Sequence, residues 1–368
     1  MKILIAPDSF KGSLTAAEAA GAIARGLRRS KQADTLCIPI ADGGEGTLDA
    51  LVPKEKQTEV TVRGTDGKPT VAAYGYLGKT AVIEMARAAG LTLVPEKDRS
   101  VLSATTYGVG ELILHALDAG FRDFLLTAGG SGTNDGGCGM MAALGADFIT
   151  EDGTKFIPTG GTLHEITAIG TDGLDPRLAK CRFTVATDVK NPLLGAEGAT
   201  YVYAEQKGCA DTALPFMETG MTHYAALLQR LCGRDVATTP GCGAGGGIAA
   251  PLLALFNATV CSGIEAVLDA VKFHELLRDA DAVITGEGKI DRQSLFGKAI
   301  SGVANAAAKA GVPVYVLAGA LGDDKNALLR MGLADIRTLT ELTDDVSYSM
   351  THAALLLERL ASELFEQH

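Results

Sequence analysis

The sequence predicts an α/β protein of two domains: a Rossmann-like, doubly wound domain built from both chain ends, and an inserted mixed α/β domain. Three observations carry this. Near both termini, short apolar runs alternate with amphipathic stretches, the pattern of a parallel sheet with crossover helices. From about residue 58 that pattern gives way to period-two runs broken by tight turns. The chain's 368 residues also exceed the size at which one hydrophobic core usually stops growing.

Taken in order, KILIA at residues 2 to 6 is a near-continuous apolar run and reads as a buried strand. It runs into PDSFKGS, an acid, two serines and a lysine around a glycine. Thr15 and Glu18 form a T-x-x-E capping box, and Ala19, Ala20, Ile23, Ala24 and Leu27 then share one helical face. TLCIPI (35 to 40) is a second strand, and the helix after GGEGT completes a β-α-β-α opening. TEVTVRGTDGKPTVAAYGYLGKTAVIEMA reads as an antiparallel meander. YGVGELILHALDAG is a helix, FRDFLLTAGG a buried strand, and Glu151-Asp152-Gly153 turns another hairpin. Alternation then returns: LDAVKFHELLRDA helix, DAVITGEG strand, GKAISGVANAAAKAG helix, VPVYVLAGA strand, DIRTLT strand, and a last helix at about 346 to 366. The expected division is 1–57 with 262–368 for the Rossmann-like domain and 58–261 for the insertion. The cleft between two such domains is the natural binding site.

Composition narrows the function. Hydrophobic residues make up 47 %, with 45 glycines and no tryptophan, as in a well-packed enzyme with many tight turns. A formal net charge of −11 without a Lys/Arg block argues against nucleic acid or an anionic membrane as partner. Arg28-Arg29 at a helix end reads as dipole compensation. Seven cysteines without a CxxC and six histidines without an HExxH give no zinc site and predict free thiols in a reducing compartment. With no signal-peptide pattern and no apolar window of membrane-spanning length, a cytoplasmic protein is expected.

Six polar, Gly-rich loops recur: DSFKGS, ADGGEG, TAGGSGTNDGG (127 to 137), ATDVKNPLLG (186 to 195), PGCGAGGG (240 to 247) and TGEGKIDRQSLFGK (285 to 298). Glycine lets backbone N–H groups approach an anion, and a following helix adds its dipole. One such loop is only turn composition; six in one chain point to an anionic ligand. Gly78-Lys79-Thr80 is not the end of a Walker A, because the earlier glycine would be Ala73 and the stretch sits in a hairpin. Gly241, Gly243 and Gly246 spell G-x-G-x-x-G, but ATTP precedes it in place of an apolar strand and Pro251 interrupts the next helix. A NAD-dependent oxidoreductase of a small hydroxy acid therefore stands as the alternative, with a non-catalytic sugar-acid binding protein as a third class. Asp42, Asp188 and Asp291 sit beside glycines or at strand ends, and Lys11, Lys207 and Lys289 lie in similar loops. Carboxylates and lysines in glycine loops suit phosphoryl transfer, which needs positioning and charge neutralisation more than covalent chemistry.

PDSFKGSL, PIADGGEGT, GGSGTNDGG, DVKNPLLG, QKG and TGEGKIDRQSLFGK, in that order over about residues 3 to 320, resemble the bacterial type I glycerate kinases. The resemblance implies ATP-dependent phosphorylation of D-glycerate, with 2-phosphoglycerate as the expected product although the family name has also been attached to the 3-phosphate, and Mg²⁺ accompanying the nucleotide. It implies D-glycerate and ATP as partners and admits a homodimer. On this reading Asp188, Lys11 and Asp291 are the catalytic candidates, with Asp188 the expected base; Asp188 and Asp291 are also the expected metal ligands. Asp8, Ser9, Lys11, Asp42, Gly43 and Gly44 are assigned to glycerate, because Lys11, Ser9 and the capped helix suit a small anion. Gly129, Gly130, Ser131, Thr133, Asn134, Asp135, Gly243, Gly245, Gly286 and Lys289 are assigned to ATP. The chain departs from the family pattern in three places. Gly132 stands where alanine is more common, Ala204-Glu205 where Gly-Pro is, and Cys242 where alanine is often found. Glu205 sets a negative charge beside Lys207, which weakens a substrate contact by that lysine.

Overall fold

The structure, a computed structural model, describes residues 1–30, 33–291, 299–330 and 332–365; the tail of TGEGKIDRQSLFGK, residues 292–298, lies outside them. The fold is α/β, with one parallel and one mixed main sheet. Backbone contacts divide the chain into two compact units. The first holds Met1–Asp42, Asp49–Leu51 and Gly263–His368; the second holds Gly43–Leu48 and Val52–Ser262. The first break thus falls inside the ADGGEG loop, ahead of the expected boundary at residue 57.

In the first unit five strands run parallel in the order Asp335–Thr338, Val314–Ala318, Ala282–Thr285, Lys2–Ile5, Asp34–Cys37. Ile3, Leu4, Ile5, Val283 and Ile284 are fully buried, as the continuous apolar runs require of strands covered on both faces. Asp34–Cys37 is shorter than TLCIPI, although the Ile38 and Ile40 N–H groups beyond it still donate to the Ile5 and Pro7 carbonyls at 2.8 and 3.1 Å. Thr15 N–H donates to Glu18 Oε2 at 2.8 Å and Glu18 N–H to Thr15 Oγ1 at 3.2 Å, closing the capping box ahead of helix Ala16–Ser30. That helix packs on Ala353–Glu363, and Gly26 permits the approach because a Cβ there would strike the Glu358 carbonyl oxygen. Arg29 does more than compensate the helix dipole: with Arg25 it pairs with the largely buried Glu358, at 2.7 and 3.0 Å. LDAVKFHELLRDA is not one helix. It breaks between Gly263–Ala270 and Phe273–Leu276 at Lys272, whose φ is 55°. The last helix likewise divides at His352 into Val346–Thr351 and Ala353–Glu363.

The second unit contains a six-stranded sheet in the order Thr259–Cys261, Arg182–Ala186, Asp123–Thr127, Thr80–Glu84, Pro69–Leu77, Gln57–Arg63. Its first four strands are parallel; the last two add the antiparallel meander. A small antiparallel sheet (Lys155–Phe156, Asp147–Ile149, Ala168–Gly170) contains the expected hairpin, with Gly153 at φ 84°. Phe124, Phe148, Tyr224 and the apolar faces of the surrounding helices fill the core. All seven cysteines are free, and no described helix is long and apolar enough to cross a membrane.

Candidate functional site

In the first unit the chain begins on Lys2–Ile5, adds Asp34–Cys37 on one side, and returns to build outward on the other side from Ala282–Thr285. Strand order therefore reverses between Lys2–Ile5 and Ala282–Thr285, and open α/β sheets bind ligands beyond the carboxyl ends of the strands at such a point. The two loops leaving it are PDSFKGS and TGEG. Asp8 N–H donates to the Gly286 carbonyl at 2.8 Å, and Asp8 Oδ1 accepts the Ser9 N–H at 2.6 Å. Burial, reinforced by the charges of Asp42 and Glu287, pushes the Asp8 carboxyl up to about 7 against the pull of the Ser9 N–H. Lys11 is exposed. Acidic surroundings of this kind favour ligand hydroxyls over a ligand carboxylate, against the reasoning that placed the glycerate carboxylate here. Gly286 has a packing reason of its own, because a Cβ would meet the Leu317 carbonyl oxygen. Lys289 is exposed on strand Lys289–Ile290, which pairs with Ala320–Leu321, and half-buried Asp291 follows it.

In the second unit three parallel strands finish level. Glu84 pairs with Thr127, and Thr127 with Ala186. The loop TAGGSGTNDGG leaves the middle strand and TDVKNP leaves its neighbour, where Ala128 N–H still donates to the Ala186 carbonyl at 3.1 Å. Gly129–Ser131 and Asp188 thus come off adjacent strand ends. Gly130 is exposed with φ 71°, a conformation that favours glycine, and Gly129 lies so close to Gly44 that a Cβ would sit 2.8 Å from its Cα. Asp188 and Lys190 are exposed. Asn191 shapes their loop, donating to the Glu197 carbonyl and accepting from Tyr203 Oη, both at 2.7 Å.

Beneath its rim the glycine loop is held by buried polar groups. The Asp135 carboxylate accepts the Thr106 N–H and hydroxyl, both at 2.8 Å, and the N–H groups of Gly137 at 3.0 Å and Gly139 at 3.2 Å. Burial pushes the Asp135 carboxyl up while these bonds draw it down. With four protein donors Asp135 organises the loop. Asn134 donates to Thr200 Oγ1 at 3.1 Å, and its Oδ1 and the Thr133 hydroxyl are buried without a partner. Lys207 is buried, and its ammonium donates to Ser131 Oγ and to the Thr133 carbonyl, each at 2.8 Å. Exposed Glu205 shares no bond with it.

The G-x-G-x-x-G stretch is a buttress. It follows no strand, forms turns and a short 3₁₀ segment at Ala244–Gly246, and is buried from Gly241 to Gly247. Gly243 N–H donates to the Asn191 carbonyl and Gly136 N–H to the Gly246 carbonyl, both at 2.9 Å. Gly243 and Gly246 could not carry a Cβ without striking the carbonyls of Pro192 and Thr133, and Gly245 would meet Met85 Sδ at 2.7 Å. The strand–turn–helix setting of a dinucleotide fingerprint is absent among these described residues.

Glu84 is a site residue that the sequence reading did not single out. It is buried at the end of its strand, accepts the N–H groups of Gly46 at 3.0 Å and Leu48 at 2.9 Å, and pairs with Arg87 at 3.5 Å. It therefore pins the GGEGT turn beside Gly43 and Gly44. A lone acid inside the apolar run AVIEMA was the available signal. Among the described residues no three His, Cys, Asp or Glu side chains gather to hold a metal. Mg²⁺ bound through one or two carboxylates and nucleotide phosphates needs no such cluster.

A family model, the glycerate kinase family, matches residues 3–368. The chain belongs to the glycerate kinase family. It is 43 % identical over 367 residues to a glycerate kinase of Halalkalibacterium halodurans, covering 98 % of this chain and 97 % of that one. It is 44 % identical over 338 residues to a glycerate 2-kinase of Escherichia coli, covering 90 % and 89 %. A crystal structure from Salmonella typhimurium, described as a glycerate kinase 2, superposes with a TM-score of 0.88 at 42 % identity, covering 99 % of this chain and 97 % of that one. Membership in the glycerate kinase family, with the buttress role of Gly241–Gly247, replaces the dehydrogenase alternative.

Proposed function

We propose that this glycerate kinase is of the bacterial type I and transfers the γ-phosphoryl group of ATP to the 2-hydroxyl of D-glycerate, giving 2-phosphoglycerate. The observation that carries the reading is the level ending of two adjacent parallel strands, one leading into an N–H-rich glycine loop and the other into Asp188. Phosphoryl transfer asks for this combination: donors that fix the phosphate, and a carboxylate for the attacking hydroxyl. Gly129, Gly130 and the Ser131 hydroxyl hold the phosphate. Ser131 Oγ already accepts from Lys207, so its own proton is left to donate. Asp188 takes the substrate hydroxyl proton as that oxygen bonds to the γ-phosphorus and the bond to the bridging oxygen breaks, releasing ADP. A Mg²⁺ ion accompanying the nucleotide, held by Asp188 or by Asp291 together with the phosphates, would neutralise phosphate charge. Asp8, Ser9, Lys11 and Asp42 suit the hydroxyl-bearing parts of the ligands. The free thiols fit a reducing, cytoplasmic setting.

The test is a phosphorus NMR spectrum of the product from ATP, Mg²⁺ and D-glycerate, run beside Asp188→Asn. We expect ADP with 2-phosphoglycerate, and a rate loss of about 10²- to 10⁴-fold in the variant, the usual cost of losing a general base. A 3-phosphate product would overturn the regiochemistry. Near-normal turnover of Asp188→Asn at saturating Mg²⁺ would remove Asp188 as the base.

A further inference from the structure

The glycine loop has a second neighbour. Gly132 forms part of the wall of a small, partly open cavity of about 30 Å³, with Thr65, Arg99, Ser100, Ser103 and Lys207. A space of that size holds about two waters, or one carboxylate group in their place, and no nucleotide.

Two cations meet this cavity. Lys207 is only 3 % exposed, and an ammonium has three protons to donate. Ser131 Oγ and the Thr133 carbonyl take two of them, and no acceptor among the described residues takes the third. Asp135 offers Lys207 a compensating charge, but its oxygens already receive four other donors. Arg99 donates Nε–H to the Val94 carbonyl at 3.2 Å and forms no ion pair among the described residues. Of the two acids at the wall, Asp66 is paired with Lys68 at 2.7 Å and Asp98 is exposed. A buried ammonium with a spare proton and a guanidinium without a carboxylate partner are complementary to a small anion.

We propose that this cavity binds the carboxylate of the three-carbon hydroxy-acid substrate, with Arg99 and Lys207 as its counter-cations. The proposal rests on the glycerate kinase reading and replaces Lys11 and Ser9 as the carboxylate site. It also couples substrate to the phosphate loop. Burial holds the Lys207 amine down at about 7, so near neutral pH much of it lacks its charge. A carboxylate beside it restores the proton, and the same ammonium then grips Ser131 and Thr133. Substrate binding thereby firms the loop that receives ATP.

The experiment compares the wild-type enzyme with Arg99→Gln by glycerate titration calorimetry without nucleotide, and by steady-state kinetics with glycerate and with glycerol, which lacks the carboxylate. Arg99 is only partly buried, so the fold should tolerate glutamine. Losing a charge-assisted hydrogen bond should weaken glycerate binding about 10- to 100-fold. At saturating glycerate KM for ATP should stay unchanged, as should the melting temperature, and preference over glycerol should fall. Lys207→Met, checked for fold by circular dichroism, should lose glycerate binding as well. Wild-type glycerate affinity and undiminished discrimination in Arg99→Gln would overturn the proposal. So would a defect confined to inorganic phosphate, which would make this a phosphate site. Failure of the wild-type enzyme to phosphorylate glycerate would instead refute the kinase reading on which the proposal stands.

Discussion

Replacing Gly246 by alanine should disable the enzyme from outside its catalytic surface. Gly246 lies in the buried buttress with φ 69°, and a Cβ there would sit 2.7 Å from Asn134 Cα and closer still to the Thr133 carbonyl oxygen. Ordinary contact begins at 3.4 Å, so backbone 133–134 must retreat by well over half an ångström. The left-handed conformation alone costs a non-glycine residue roughly 1–2 kcal/mol, and overpacking typically adds about 1–3 kcal/mol. Displacement of a positioning element by 1 Å can cost about 10²-fold in rate. The control is Gly233→Ala, at the end of helix Leu214–Cys232, where φ is 70° and nothing lies within 4 Å. It carries the same backbone strain without the collision. Coupled ADP-release kinetics and thermal unfolding on both variants separate the terms. We expect both to lose stability, and only Gly246→Ala to lose about two orders of magnitude in kcat. Equal stability losses with wild-type kcat in Gly246→Ala would show that the buttress does not set the loop's position.

Glu84→Gln should destabilise the second unit by about 2–3 kcal/mol, because two N–H groups exchange a charged acceptor for a neutral one and the ion pair with Arg87 is lost; an unchanged urea midpoint would contradict this. Lys207 supplies a pH test without substrate. Its pKa is about 7 in the folded protein against 10.5 for the free side chain, so between these values the unfolded chain binds the extra proton and stability rises with pH. Relative to Lys207→Met, the wild-type protein should gain up to about 1.4 kcal/mol per pH unit from pH 7 upward, and parallel pH profiles for the two proteins would refute it.

The elements legible in the sequence were those whose local signals agree. The capping box at Thr15, the meander from residue 57 and the parallel runs at both ends each combine periodicity with turn chemistry. What failed was continuity. LDAVKFHELLRDA keeps apolar spacing across Lys272, yet the backbone turns left-handed there, and no residue type in that stretch announces it. Arg29 likewise shows its helix-end position but not its partner Glu358, which is some three hundred residues away in sequence and reached only through the packing of two helices.

The glycines show why the site was only half legible. One residue type serves two opposite ends: Gly130 is exposed, with its N–H available to a ligand, whereas Gly243 and Gly246 vanish beneath neighbouring carbonyls so that two loops can close-pack. Sequence records that a Cβ is forbidden, not whether a ligand or another strand of backbone forbids it. The same ambiguity covers charge. Asp135 and Asp188 both follow glycine-rich or strand-end stretches, but four protein donors surround the first and solvent reaches the second. Glu205 stands two residues from Lys207, yet a 3₁₀ turn at Glu205–Lys207 sends the acid outward and the lysine inward. Nearness in sequence does not pair charges, because what fixes a buried charge is the set of donors and acceptors that the fold brings around it.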